Sequence, residues 1–404
     1  MDKGLHNNLK KKKGKLSLLL EVLLISMKLG LTSFGGPIAH LGYFREEYVN
    51  RRKWLDEKTY ADLVALCQFL PGPASSQVGM GIGFIRAGFL GAISSWLGFT
   101  LPSVIALVLF AYFLKGTSLS ETGWIHGLLV VAVAVVVQAV WGMAKNLASD
   151  RPRATIVIVA AILTLIIPSV FSQVGIIIVA GIIGCFLFRS TTDSNSVLIP
   201  ISFNKKIASI LLVLFFVLLG FLPLVRQFTH SNLIALFDGF YRSGALVFGG
   251  GHVVLPLLQA EVVPQGWLTA DQFLAGYGAA QAVPGPLFTF ASYLGMASFG
   301  WKGAIVATFA IFLPSFLLII GALPFWNWLR HSPRFQAALH GINAAVVGIL
   351  LAALYNPVWT KAIKSPFDFC LALAAFGLLT VWKCPPWIVV VFSAVTGALL
   401  SFIS

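Results

Sequence analysis

Gln68-Phe69-Leu70-Pro71-Gly72-Pro73 and Gln281-Ala282-Val283-Pro284-Gly285-Pro286 decide the fold. Each places Pro-Gly-Pro inside an apolar segment, with a glutamine three residues ahead of the first proline. The two copies lie 213 residues apart in a chain of 404. No apolar helix runs through Pro-Gly-Pro unbroken, because proline lacks the N–H and its ring clashes with the preceding turn. A break in a membrane helix frees backbone N–H and C=O groups, which is tolerated only where protein or a polar cavity satisfies them. The same break in two corresponding places points to a transport site.

Composition sets the class. The chain is 58% hydrophobic and 10% charged, against about 25% charged in a soluble domain. Apolar stretches of about 20 residues recur along its length, so it reads as a polytopic membrane protein. The net charge of +14 comes from Lys and Arg lying between apolar segments, which are topology signals and not a nucleic-acid-binding face. Cys67, Cys185, Cys370 and Cys384 form no Cys-x-x-Cys pair, so neither a metal site nor a disulfide framework is indicated. No phosphate-loop, Rossmann or hydrolase motif occurs, so a built-in ATPase is excluded and no cofactor is expected.

The chain repeats itself. Phe34-Gly35-Gly36-Pro37 matches Phe248-Gly249-Gly250-Gly251 at an offset of 214. Trp54-Leu55 matches Trp267-Leu268 at 213, and Leu101-Pro102-Ser103 matches Leu313-Pro314-Ser315 at 212. His126-Gly127 matches His340-Gly341 at 214. Landmarks in one order with nearly constant offset mark an internal duplication. The expected divisions are a basic cytoplasmic tail at 1–15, a first repeat at 16–189, a linker and connecting helix at 190–229, and a second repeat at 230–404. The loop charges change sides between the halves, Lys115 against Arg330 and Arg334, and Arg189, Lys205 and Lys206 against none, apart from the loop after the fourth element, which is basic in both (Lys145, Arg151 and Arg153 against Lys361 and Lys364). That bias predicts an inverted second repeat, with the N-terminus inside and the C-terminus outside. The expected fold is an all-α polytopic membrane protein. It consists of two inverted-topology repeats of about six membrane elements joined by a connecting helix, with Pro-Gly-Pro-broken or re-entrant helices. The first two elements of each repeat either span or dip back.

Several residues could carry chemistry. Half-helices starting after the breaks would aim free N–H groups at an anion, with Pro71, Gly72, Pro73, Ser75 and Ser76 in the first half and Pro284, Gly285, Pro286, Phe288 and Thr289 in the second. Gln68 and Gln281 precede the breaks. The alternative is a kink used only for packing. Phe34, Gly35, Gly36, Phe248, Gly249 and Gly250 form paired glycine ends that permit close backbone approach or close helix packing. Lys28 and Arg242 match at the 214 offset. Cations inside apolar elements face a cavity or a partner, so they either contact a dianion, snorkel, or pair with Glu21 or Asp238. Glu21, His40 and His252 are candidates for proton coupling. Arg86 reads as a topology charge, and Glu46 and Glu47 as solvated surface.

These motifs together resemble the chromate ion transporter family in its long form with two fused halves. The resemblance covers the chain after its tail. It implies an inner-membrane protein of a prokaryote that exports chromate, is competed by sulfate, and confers chromate resistance. Gly251 departs from the first-half proline, so the halves need not contact substrate equally. The partners implied are a chromate or sulfate dianion and the bilayer, with proton coupling and a homodimer left open. A sulfate or other oxyanion permease and, more remotely, a membrane-embedded enzyme are the alternatives.

Overall fold

The computed structural model describes residues 15–114, 123–167, 169–188, 204–229, 231–248, 250–326 and 332–400. Most of the expected linker between the halves lies outside them. The described residues are helical with no strand, as an all-α membrane protein requires. The first half runs α1 (Lys15–Thr32), α2 (Gly36–Phe44), α3 (Glu57–Phe69), α4 (Ala74–Leu114), α5 (Gly123–Leu147), α6 (Arg151–Ile166) and α7 (Val170–Leu187). A connecting helix α8 (Lys205–Phe228) follows. The second half runs α9 (Asn232–Ala245), α10 (Val254–Val262), α11 (Ala270–Ala282), α12 (Phe290–Ala322), α13 (Pro333–Ala353), α14 (Pro366–Thr380) and α15 (Pro386–Leu400). Among the described residues, five segments are long and apolar enough to cross a bilayer: Ala74–Leu114, Gly123–Leu147, Lys205–Phe228, Leu287–Phe325 and Pro333–Ala362.

The first elements of each half fold back on themselves. Helix α1 ends at Thr32, the chain turns through Gly35 and Gly36, and α2 runs on into a further helical segment, Arg45–Arg51, whose Tyr48 hydroxyl meets Ser26 Oγ of α1 at 3.2 Å. Helix α3 starts on Asp56, whose carboxylate accepts from the Thr59 N–H at 2.9 Å. That bond and the Thr59 hydroxyl hold the Asp56 carboxyl below the ordinary carboxylate range. After Pro71-Gly72-Pro73 the chain reverses, and the first part of α4 lies back along α3 with Gly81 against Leu63. In the second half α11 starts on a capping box, Thr269 with Gln272. It turns at Pro284-Gly285-Pro286, and the Tyr293 hydroxyl donates to the Gln272 carbonyl across the hairpin at 2.8 Å.

A second reversal follows in each half. The helical path of α4 breaks at Ala87 and Gly88, and that of α12 at Phe299 and Gly300. Gly83 then meets Gly91, and Gly295 meets Gly303, backbone to backbone. The remainder of α4 runs beside α1, where a Cβ on Gly30 would lie 2.6 Å from the Phe99 carbonyl oxygen.

The two sequence halves interlock rather than forming two bodies. Helix α5 packs on α14 and α15 of the second half, and α13 packs on α6 and α7 of the first. The seams are made of small residues, as helix contacts in lipid favour. A Cβ on Gly127 would overlap the Ser393 carbonyl, and one on Gly341 the Ala180 carbonyl. His126 at the start of α5 reaches the Asp368 carboxylate of α14 at 2.7 Å.

Ion pairs tie the hairpins at their bases. Glu47 accepts from Lys28 and from Arg52, both at 2.8 Å. Arg86, which lies over the Trp54 ring at 4.9 Å, reaches Glu21 at 3.5 Å. In the second half Arg242 pairs with Asp238 and with Glu261, each at 2.8 Å. Arg226 of α8 reaches the same two carboxylates at 3.3 and 3.1 Å. Lys28–Glu47 and Arg242–Glu261 correspond at an offset of 214 for both partners. The second cluster is the more buried, with Asp238 at 0% side-chain exposure.

Two stability predictions follow from these contacts. Gly127→Val should destabilise the detergent-solubilised protein by roughly 1–3 kcal/mol through overpacking. Gly142→Ala, with open space around it, should leave the melting temperature unchanged. Equal shifts for both would refute the tight seam. Glu261→Ala strands two arginines in a buried cluster and should cost about 3–5 kcal/mol. Glu47→Ala, whose Lys28 partner is 47% exposed, should cost less, and thermal melts of the two variants read the difference.

Candidate functional site

The site is built where the four hairpin tips meet. The Gly72 N–H, at the Pro-Gly-Pro tip of the first half, donates to the Val247 carbonyl of the second at 2.7 Å. The Gly285 N–H, at the second Pro-Gly-Pro tip, donates to the Ser33 carbonyl of the first at 2.9 Å. Val247 and Ser33 each immediately precede a Phe-Gly-Gly sequence. The motif of one half thus bonds crosswise to the motif of the other. Both donors lie at positive φ, +118° and +100°, where a side chain is strained. Space is tight as well: a Cβ at 72 would stand 2.6 Å from Ser315 Oγ, and one at 285 would stand 3.0 Å from Ser103 Oγ, so each serine would have to shift. The repeated Leu-Pro-Ser sequences therefore supply the seat for the opposite tip.

The carbonyls freed by the prolines are partly satisfied nearby. Gln77 Nε2 donates to the Pro71 carbonyl at 2.7 Å, and the Thr289 hydroxyl to the Pro286 carbonyl at 2.7 Å. Ser75 Oγ meets His40 Nδ1 at 3.2 Å. Other polar atoms at the tips are buried with no hydrogen-bond partner among the described residues: Ser33 Oγ, Ser76 Oγ, Gln77 Oε1, Ser315 Oγ and Gln281 Nε2. Each such atom costs about 1–3 kcal/mol of desolvation when nothing pairs with it. Their concentration at the crossing marks a place suited to a polar solute.

A cavity of about 70 Å³ opens between Gly35-Gly36-Pro37 of the first half and Gln281, Val283 and Gly285 of the second. One water needs roughly 10–15 Å³, so a small solute fits. Gln138 of α5 and His252 also line it, and among the described residues no lysine, arginine or carboxylate does. Donors from amides, imidazole and backbone make it a neutral, hydrogen-bonding chamber.

The expected residues divide accordingly. Gly35, Gly36, Gln281, Gly285 and His252 line the cavity, and Gly72 makes the second crossing bond. Pro71, Pro73, Pro284 and Pro286 form the tips, and Phe34 lies 6.4 Å from the Trp387 ring. Phe248 packs against the core, while Gly249 lies outside the described residues. Ser75 and Thr289 are engaged within their own halves, and Ser76 is buried beside Ser75. Gln68 is exposed. Lys28 and Arg242 are held by carboxylates of their own halves rather than turned to one solute, and Glu21 is held by arginines. Lys28 pairs with Glu47 where Glu21 was expected, and Glu47 is buried, not solvated.

Sequence reasoning missed Gln138, Glu261 and the pairing of Glu47 with Lys28. Gln138 stands alone in the run Val135-Val136-Val137-Gln138-Ala139-Val140, where an isolated polar residue is itself a signal. Glu47 and Glu261 recur at the 214 offset and could have been read with Lys28 and Arg242.

Comparison with known proteins identifies the family. The chromate transporter family profile matches the chain twice, over residues 20–185 and 234–398. An uncharacterized transporter of Methanocaldococcus jannaschii is 30% identical over 337 residues, covering 82% of this chain and 83% of that protein. A protein of Pseudomonas aeruginosa named chromate transport protein is 27% identical over 386 residues, covering 91% and 88%. An uncharacterized transporter of Bacillus subtilis is 34% identical over 160 residues, covering 38% of this chain and 80% of its own length. No solved structure matches the chain. A family profile that fits both halves, on a multi-pass helical fold with crosswise tips, places this chain in the chromate transporter family.

Proposed function

We propose that this protein is a secondary transporter that moves chromate out of the cell through the crossing of its hairpin tips. The observation that carries the proposal is the cavity of neutral donors between the Phe-Gly-Gly tip of one half and the Pro-Gly-Pro tip of the other. The name of the Pseudomonas aeruginosa relative supports chromate as the solute. Chromate is a tetrahedral dianion that accepts hydrogen bonds and, fully ionised, donates none. Backbone N–H groups, glutamine amides and an imidazole suit it. Sulfate has the same charge and shape and is the expected competitor.

The loop charges favour a cytoplasmic N-terminus and an inverted second half. In that placement the four hairpins dip from opposite faces of a bacterial inner membrane and meet near its middle. The other nine helices among the described residues then cross, five of them segments long and apolar enough to do so by themselves. Export of a dianion from a negative-inside cell is driven by about 2.3 kcal/mol per charge per 100 mV, roughly 4.6 kcal/mol for two charges. Proton coupling is therefore not needed for export, and chromate resistance follows from removal of the anion. If a proton is coupled, His252 is the best-placed carrier, since it lines the cavity while Glu21 is ion-paired.

Uptake of labelled chromate into everted vesicles tests the proposal. Vesicles with the protein should accumulate chromate, excess sulfate should suppress it, and collapse of the potential should reduce it more than collapse of the pH gradient. No difference from vesicles lacking the protein would refute chromate transport. Pro71→Ala combined with Pro73→Ala should lower uptake at least tenfold while the protein still inserts. Uptake at the wild-type rate in that variant would reduce the break to a packing feature.

A further inference from the structure

The three hydrogen-bonding side chains that line the cavity are not matched by the residues at the repeat offset. The 214 offset takes His252 to Ile38 and Gln138 to Ala352, neither of which has a side-chain donor. The 213 offset takes Gln281 to Gln68, which is exposed, whereas Gln281 carries a buried amide nitrogen. Two tips of each kind cross symmetrically, yet the amide and imidazole groups that line the cavity lie at the Gly285 crossing, while the Gly72 crossing holds hydroxyls and the Gln77 amide, whose Nε2 already donates to the Pro71 carbonyl.

We propose that each chain holds one oxyanion site, not two, and that His252, Gln138 and Gln281 set its selectivity for a tetrahedral dianion. The proposal rests on the oxyanion-transport reading above and names the residues that would carry it. The three side chains are poised to donate. Gln281 Nε2 is buried and unpartnered among the described residues. Gln138 Nε2 lies 3.5 Å from the Leu379 carbonyl, at the outer limit for a hydrogen bond, so it exchanges a weak contact for a strong one. His252 Nδ1 lies 2.7 Å from the Tyr277 hydroxyl. When that hydroxyl donates to Nδ1, the neutral ring carries its proton on Nε2 and presents a donor to the solute.

Neutral donors suit a carrier. A lysine or arginine in a desolvated chamber would hold a dianion through strong charge-assisted bonds and slow its release. Transport needs binding favourable enough to enter and weak enough to leave. The cations of both halves are kept in ion pairs away from the cavity lining, which leaves the chamber to uncharged groups.

The test is equilibrium binding of labelled sulfate, and separately of chromate, to the purified full-length protein in detergent. The expected result is saturation at one anion per chain. Gln281→Leu and Gln138→Leu should each weaken binding roughly 10- to 100-fold, the loss of a hydrogen bond to a charged group. Tyr277→Phe should weaken it less, by freeing the imidazole tautomer. Gln259→Leu, outside the cavity, should leave affinity within twofold. Melting temperatures identify any variant that fails to fold. Gln138→Asn keeps the amide and should retain more affinity than Gln138→Leu, which a merely structural role would not produce. Two anions per chain, or wild-type affinity in folded Gln281→Leu and Gln138→Leu, would overturn the single-site proposal and leave oxyanion transport standing. No binding of either anion to the folded wild type would overturn both.

Discussion

Two backbone hydrogen bonds hold this structure's centre: Gly72 to Val247 and Gly285 to Ser33. Each joins a donor at a Pro-Gly-Pro tip to an acceptor beside the Phe-Gly-Gly tip of the other half. A backbone donor freed by a broken helix must find a partner when no water is at hand. Here it finds one only across the internal repeat. The constraint explains why the motifs come as a set. Glycine is required at 72 and 285 by positive φ and by the opposing serines of the Leu-Pro-Ser sequences. The prolines on either side keep the helices from running on.

The rest of the molecule supports that crossing. The exchange of helices between halves, α5 onto α14 and α15 and α13 onto α6 and α7, prevents the two repeats from drifting apart. The ion pairs at the hairpin bases anchor the ends away from the tips. Lys28–Glu47 and Arg242–Glu261 do so at corresponding positions, but their surroundings differ. The second cluster is buried and balanced between Arg226, Arg242, Asp238 and Glu261. The first is more exposed and gathers Lys28, Arg51, Arg52 and Arg86 around Glu21 and Glu47. The duplication has thus diverged in charge at the bases and in polarity at the tips.

Much of this is legible in the residues. Pro-Gly-Pro is a backbone statement: no tertiary context lets a helix pass through it, so the residues alone require the breaks. The duplication is legible because rare motifs recur at a nearly constant offset. Partners across space are not legible. Nothing local in Ser33 or Val247 says that its carbonyl receives the opposite tip. Lys28 and Arg242 look like solute contacts because a cation in an apolar segment demands a partner; the partner is a glutamate from the returning arm of the same hairpin. The turns at Gly88 and Gly300 carry only a single charge each in the sequence, Arg86 and Lys302, and the Gly83–Gly91 and Gly295–Gly303 approaches reveal the reversal.

The account stands on the cavity between the tips being the solute's place in the protein. Ala280 lines that cavity, so the direct measurement is thiol labelling of Ala280→Cys in a variant whose four native cysteines are replaced. The account predicts reaction with a small polar thiol reagent in membranes and slowing of that reaction by sulfate in proportion to site occupancy. Labelling that sulfate leaves untouched, in a variant that still transports, would contradict it.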